Sequence, residues 1–127
     1  MNEQPLIVVA DDDQLLRSLV EFKLNARGYN VLAARDGSEA LELIATHTPD
    51  LIVLDAMMPG QDGFAVLRHV KSDPRLAGIP VVMLTARRLE SDIVGALQAG
   101  ASDYLIKPFS PEELAVRIAR LLPTKIQ

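Results

Sequence analysis

Four aspartates follow two apolar runs of the sequence, and their type and spacing suit them to chemistry. Asp11, Asp12 and Asp13 come directly after the run LIVVA, and Asp55 ends the run DLIVLD. Carboxylates held close together repel one another, so without a cation at least one of them would take up a proton. Oxygen ligands without cysteine favour a hard divalent ion, and Mg²⁺ commonly uses one or two carboxylates while keeping places for water or phosphate. The acids therefore predict a magnesium site.

Asp55 is the candidate nucleophile of such a site. A carboxylate can attack phosphorus to give an aspartyl phosphate, and this transfer needs positioning and charge neutralisation more than acid-base catalysis. Thr85 ends the run PVVMLT and Lys107 ends the run DYLIK, which supply a hydroxyl and an ammonium group. Taken singly, a threonine or lysine at such a place is usually solvated surface, and Asp13 before Gln14 is best explained as a helix cap. The hypothesis depends on the fold bringing these groups together.

Five short apolar runs alternate with longer amphipathic stretches along the chain. The runs LIVVA, YNVLAA, DLIVLD, PVVMLT and DYLIK lack a polar alternate face, which is typical of parallel strands covered on both sides. The pattern predicts a doubly wound α/β fold, (βα)5 and flavodoxin-like, with a five-stranded parallel sheet in the order 2-1-3-4-5 and helices on both faces. The second and fifth runs are the weakest and should form the edges. Because ligands bind at the carboxyl ends of such strands, the candidate residues should share one crevice.

Helix periodicity and capping residues predict five helices. They run from Gln14 to Arg27, from a cap at Asp36 to near Thr46, from Gly63 to Lys71, from about Ser91 to Ala99, and onward from a cap at Ser110 with Pro111 in the first position. Gly28 should take a left-handed conformation after the first of them.

Composition limits the classes of function. The chain has 127 residues, enough for one domain with a core over about 5–122, and 123–127 would be a tail or the start of a linker. Thirteen basic against seventeen acidic residues give a net charge of −4, which disfavours direct binding to nucleic acid or anionic lipid. The absence of cysteine excludes disulfides, a thiolate nucleophile and cysteine-bound zinc. No apolar run approaches a membrane span or a signal core, so we expect a cytoplasmic protein.

The segments VVADDD, LDAMMPGQDGF, VVMLTA and GASDYLIKPF occur in that order. Together they resemble the receiver domain of two-component response regulators over nearly the whole chain. The resemblance implies that Asp55 is the phosphoacceptor and that Mg²⁺ binds Asp11, Asp12, Asp55 and the backbone carbonyl of Met57. Asp12 would be the direct ligand and Asp11 would act through water, although the run of three acids allows an error of one residue at Asp13.

The resemblance also assigns roles around the phosphoryl group. Lys107 would pair with its oxygens across a cis peptide bond to Pro108, and Thr85 would donate a hydrogen bond to it. Thr85 moving towards the phosphate would vacate space for Tyr104, changing the surface of the fourth helix, fifth strand and fifth helix. From the sequence alone, a half-buried aromatic residue on an edge strand with its hydroxyl in water explains Tyr104 nearly as well, and the resemblance favours the switch.

The implied partner is a sensor histidine kinase or a histidine phosphotransfer protein, whose phosphohistidine donates to Asp55. The domain would promote its own phosphorylation and hydrolysis without being a conventional enzyme, and its effector is not specified. A phosphohydrolase with an aspartyl intermediate would need an acid at the position of Met57 to protonate the leaving group. A flavin-binding module would need amide donors after the first strand, where three aspartates would repel the phosphate. A receiver that signals by binding alone, without phosphorylation, is the remaining alternative.

Some positions depart from the best-known members of the family. Val94 and Ser102 stand where many transcription-factor receivers carry charges that pair across a dimer, while Asp103 and Arg117 remain, so a phosphorylation-dependent dimer stays open. Arg87 lies where family side chains modulate hydrolysis, and we expect its replacement by alanine to change the phosphoryl lifetime. His47 and His69 are isolated and are best explained as solvated side chains.

Overall fold

The computed structural model describes residues 4–60, 62–86 and 90–122. Within these residues five strands form one parallel sheet in the order β2-β1-β3-β4-β5, which confirms the predicted fold class. The strands are β1 Leu6–Ala10, β2 Asn30–Ala34, β3 Leu51–Asp55, β4 Val81–Thr85 and β5 Asp103–Ile106. Position 87 and the segment 123–127, for which the sequence made predictions, lie outside the described residues.

Helices alternate with the strands throughout. They are α1 Gln14–Ala26, α2 Gly37–His47, α3 Gly63–Ser72, α4 Glu90–Gln98 and α5 Pro111–Leu121. The predicted caps at Asp13, Asp36 and Ser110 are confirmed, since each side chain accepts a hydrogen bond from a backbone N–H in the first turn. Asp62 caps α3 in the same way, through Ala65 N–H, and was not predicted. Gly28 has the expected positive φ of 93°.

Successive residues of each strand point to opposite faces of the sheet and build two apolar clusters. One face is covered by α2, α3 and α4, and the other by α1 and α5. In β3, Ile52 and Leu54 join the first cluster while Leu51 and Val53 join the second. Strands β3 and β4 are buried throughout, because each has a strand on either side and helices on both faces. The sheet is therefore one layer shared by two cores.

The register brings the carboxyl ends of the central strands to one edge. Ala10 pairs with Leu54, so Asp11 and Asp55, the next residues along β1 and β3, are neighbours at this edge. Thr85 pairs with Ile106, and the Lys107 N–H donates to the Thr85 carbonyl over 2.7 Å. None of the helices in the described part of the chain is long and apolar enough to cross a membrane.

Candidate functional site

Two buried carboxylates share one ammonium group at this edge. Asp11 is 1% exposed and Asp55 is 4% exposed. The Lys107 Nζ atom lies 3.0 Å from Asp11 Oδ2 and 3.2 Å from Asp55 Oδ2. Lys107 thus contacts both Asp11 and Asp55. The three residues are far apart in the sequence, and the order of the strands in the sheet brings them together.

The burial of the two acids changes the proton affinity of the site. Desolvation, followed by the neighbouring Asp11 carboxylate, raises the pKa of Asp55 from 3.8 to about 6, against the opposing effects of the Met57 N–H and Lys107. Burial lowers the pKa of Lys107, but its contacts with Asp11 and Asp55 outweigh burial, so the pKa stands above its ordinary value of 10.5. Lys107 is therefore charged at neutral pH and holds its positive charge against Asp55.

Carboxylate oxygens of Asp11, Asp12 and Asp55 lie within 4.8 Å of one another and could hold a metal ion. Asp12 is exposed, and Asp11 Oδ2 is buried without an aligned hydrogen-bond donor among the described residues, its partner being the charge of Lys107 at 3.0 Å. Counted over the residues that the structure describes, three carboxylates face one ammonium, and a divalent cation would balance the excess negative charge. An all-oxygen set of this kind fits Mg²⁺.

The loop after β1 is held by hydrogen bonds that divide the three aspartates by role. The Asp11 N–H donates to the Ala34 carbonyl over 3.1 Å, and Asp11 Oδ1 accepts from the Asp13 N–H over 2.9 Å. Asp13 Oδ1 in turn accepts from the Leu16 N–H over 3.2 Å. Asp13 is thus occupied as the cap of α1, and Asp11 and Asp12 are the acids of this loop that remain for a cation.

The loop after β3 holds the Asp55 carboxylate from its own side. Asp55 Oδ1 accepts from the Met57 N–H over 3.2 Å, and the Gly63 N–H donates to the Ala56 carbonyl over 3.1 Å. A Cβ atom at Gly63 would lie 2.3 Å from the Asp55 carbonyl oxygen, closer than any such contact allows. Gly60 has a φ of 73°, as a tight loop requires. Gly63 is needed because α3 begins directly against the backbone of Asp55.

Thr85 and Tyr104 border a common cavity next to the acidic site. Its volume is about 300 Å³, and it is lined by Ala56, Met57, Asp62, Phe64, Met83, Thr85, Ile93, Ala96 and Tyr104. Tyr104 is half-buried, lies opposite Met83 in the sheet register and packs against the core cluster beneath α3 and α4. The cavity therefore extends from Thr85, at the end of β4, to Tyr104, which the sequence predicted to move together with Thr85.

The remaining sequence predictions concern the surface and the backbone. The Lys107–Pro108 peptide bond is cis, as the resemblance implies. Arg117 Nη1 lies 2.9 Å from Asp103 Oδ1, so these two charges are paired within the domain. His47 and His69 are exposed, in agreement with their interpretation as solvated side chains.

Comparison with known proteins identifies the class. The family model for the response regulator receiver domain matches residues 7–119. The chain is 42% identical over 116 residues to the "Probable transcriptional regulator ycf27" of Porphyridium aerugineum, a match that covers 91% of this chain and 47% of the relative. Among solved structures it is 37% identical to the Francisella response regulator 1452 receiver domain, with a TM-score of 0.88 and coverage of 93% of this chain and 96% of that one. The chemotaxis response regulator CheY4 of Vibrio cholerae is 30% identical, with a TM-score of 0.89 and coverage of 94% and 99%.

This fold is that of a signalling receiver of two-component systems. The chain belongs to the response regulator receiver domain family. It spans less than half the length of the curated relatives that it matches.

Proposed function

We propose that Asp55 accepts a phosphoryl group, in the presence of Mg²⁺, from the phosphohistidine of a sensor histidine kinase or a histidine phosphotransfer protein. The observation that carries this proposal is the buried Asp55 carboxylate, held 3.2 Å from Lys107 Nζ within a cluster of three acids. The Met57 N–H, which donates to Asp55 Oδ1 over 3.2 Å, orients this carboxylate and preorganises it as a nucleophile.

In the transfer, a carboxylate oxygen of Asp55 forms the new O–P bond while the P–N bond to the donor histidine breaks. The electron pair of that bond stays on the imidazole. Lys107, charged at neutral pH, stabilises the phosphoryl oxygens, and the Met57 N–H keeps the Asp55 carboxylate oriented. Asp12 and Asp55 would hold Mg²⁺, with Asp11 and the Met57 carbonyl as further ligands. The bound ion would neutralise the negative charge of the phosphoryl group. Hydrolysis of the acyl phosphate later restores the free carboxylate.

The response to phosphorylation is a shift between two packings of the cavity beside the site. Thr85 turns its hydroxyl towards the phosphoryl group, and Tyr104 moves into the cavity that both residues border. The exposed side chains that would register this movement are Val94 and Leu97 on α4 and Val116 on α5. An effector binds this surface, and the curated relatives named as transcriptional regulators support an effector that acts in transcription.

The test is intact-mass measurement after incubation with acetyl phosphate and Mg²⁺. Wild type should gain one base-labile phosphoryl group, and Asp55→Asn should gain none. Glu42→Gln, which removes an exposed acid from α2, controls for the loss of one charge. An unmodified wild type would overturn the proposal and favour a receiver that signals by binding alone. An equal adduct on Asp55→Asn would place the phosphoryl group elsewhere.

A further inference from the structure

Arg17, on α1, reaches back to the acidic loop although the sequence assigns it no role. Its Nη1 atom donates to the main-chain carbonyl of Asp11 over 2.8 Å, and its own N–H donates to the Asp13 carbonyl over 3.0 Å. The guanidinium is partly buried, so its hydrogen bond is partly shielded from competing water. The first turn of α1 is therefore tied to the loop by a side chain as well as by its cap.

The bond from Arg17 completes the restraint of Asp11. The Asp11 N–H is bound to Ala34, its Oδ1 atom is bound to the Asp13 N–H, and its carbonyl is bound to Arg17. The Asp11 carbonyl belongs to the peptide plane that joins Asp11 to Asp12. Arg17 thus sets the orientation of that plane and, with it, the direction in which the Asp12 side chain leaves the backbone.

In the described part of the chain, nothing else holds the Asp12 carboxylate in place. Its side chain is exposed, and no described residue donates a hydrogen bond or forms an ion pair with it. The charges of Asp11 and Asp55 repel it, so an unrestrained Asp12 would move outward into water. Its presence within 4.8 Å of the other two acids depends on the main chain that Arg17 holds.

We propose that Arg17 is a positioning residue for the cation site: by holding the Asp11 carbonyl it keeps the Asp12 carboxylate beside Asp11 and Asp55. The inference rests on the proposed metal-dependent function. The direction in which Mg²⁺ affinity changes when Arg17 is replaced distinguishes a positioning role from a purely electrostatic one. A positive charge close to a Mg²⁺ site repels the ion, so if charge alone mattered, removing Arg17 would tighten binding. Loss of positioning weakens binding instead.

The experiment measures the affinity of the whole chain for Mg²⁺ alone, by calorimetric titration and by competition with Mn²⁺ observed through water proton relaxation, without a phosphoryl donor. Arg17→Met should weaken binding about 10-fold, the size of effect that outer partners of metal ligands commonly have. Arg17→Lys, which keeps the charge and one donor, should fall between Arg17→Met and wild type. Hydrogen exchange of the Asp13 amide should accelerate in Arg17→Met, since its acceptor on Asp11 becomes mobile.

Lys23→Met is the matched control. It removes one positive charge from the same helix, but its contact is with Glu112 over 2.8 Å and not with the acidic loop. It should change Mg²⁺ affinity less than about two-fold. Equal or tighter binding by Arg17→Met would overturn the inference. If Arg17→Met does not fold, Arg17→Lys decides, since affinity equal to wild type would overturn the inference as well.

The phosphorylation measurement separates the two proposals. A wild type that binds Mg²⁺ and is phosphorylated on Asp55, while Arg17→Met binds Mg²⁺ equally well, would overturn the role of Arg17 and leave the proposed function intact. A wild type that binds no Mg²⁺ would overturn both.

Discussion

When no metal is bound, ionisation of Asp55 at neutral pH lowers the stability of the folded state. Its pKa rises from 3.8 in the unfolded chain to about 6 in the folded one. The folded state therefore holds the proton more tightly, and the stability that this proton contributes is present below pH 3.8 and lost as pH rises through 6. At about 1.4 kcal/mol for each pKa unit, the loss is on the order of 3 kcal/mol.

Asp55→Asn should accordingly raise the free energy of unfolding in EDTA at pH 7.5, by up to about 3 kcal/mol. The gain over wild type should grow between pH 5 and pH 7.5, because wild type loses its proton over that range and the amide does not titrate. Urea denaturation at several pH values measures it, with Glu42→Gln as the control for net charge. A gain that is absent, or that shrinks with rising pH, would contradict a raised pKa of Asp55.

Gly63 matters to the site because it has no side chain, which lets the start of α3 lie directly against the backbone of Asp55. An alanine Cβ would lie 2.3 Å from the Asp55 carbonyl oxygen, so α3 or the end of β3 must move. We expect Gly63→Ala to cost about 1–3 kcal/mol, in the range for overpacked sites, and to slow phosphorylation. Gly78→Ala is the control, since its Cβ would meet nothing within 4 Å and its φ is not positive. Similar stabilities of the two variants would show that the loop yields without strain.

At the scale of elements, α2 ends in a conformation that its residue does not favour. Thr48, which caps the C-terminus of α2, has a φ of 46° and a ψ of 70°, in the left-handed region where a β-branched side chain is strained. Glycine adopts this conformation freely, so Thr48→Gly should stabilise the protein by about 1 kcal/mol, after allowing for the greater entropy of the unfolded chain.

Thr46→Gly is the matched control for that substitution. Thr46 is also exposed, but it lies inside α2, where glycine in place of threonine costs roughly 0.5 kcal/mol. Thermal denaturation of the two variants should therefore move the midpoint in opposite directions. A destabilised Thr48→Gly would mean that the threonine side chain supports the end of the helix more than its backbone strain weakens it.

At the scale of the whole molecule, the two apolar clusters should unfold together because every strand contributes to both. Leu114 of α5 is fully buried in one cluster, whereas Val116 of the same helix is 42% exposed. Leu114→Ala should cost about 2–5 kcal/mol, and Val116→Ala should change stability by less than about 0.5 kcal/mol. Urea denaturation with an unchanged slope would show that stability, and not compactness, has changed.

The two tyrosines report separately on the two faces. Tyr29 packs against the cluster under α1 and α5, and Tyr104 packs against the cluster under α2, α3 and α4. Replacing either one with phenylalanine leaves a single tyrosine as the fluorescent probe. Leu114→Ala should shift the midpoint equally for both probes. A shift confined to Tyr29 would show that the faces unfold independently.

The sequence by itself determined the order of the strands and helices, and the edge of the sheet at which the candidate site residues lie. Local patterns suffice for this, since apolar runs without a polar alternate face predict buried parallel strands and residues such as Asp13 and Ser110 predict helix starts. The order of the strands then makes β1 and β3 neighbours. Asp11 and Asp55 were expected together for that reason, and the structure places them there.

Only the tertiary structure decided the quantities that depend on distances between remote residues. Burial of Asp55 beside Asp11 sets its raised pKa, and the approach of α3 to the backbone of Asp55 makes Gly63 necessary. The internal pairing of Arg117 with Asp103 and the reach of Arg17 to the Asp11 carbonyl were equally invisible in the sequence. Residue type and spacing state which groups are available, whereas desolvation, steric contact and hydrogen bonding act over a few ångströms that only the folded chain defines.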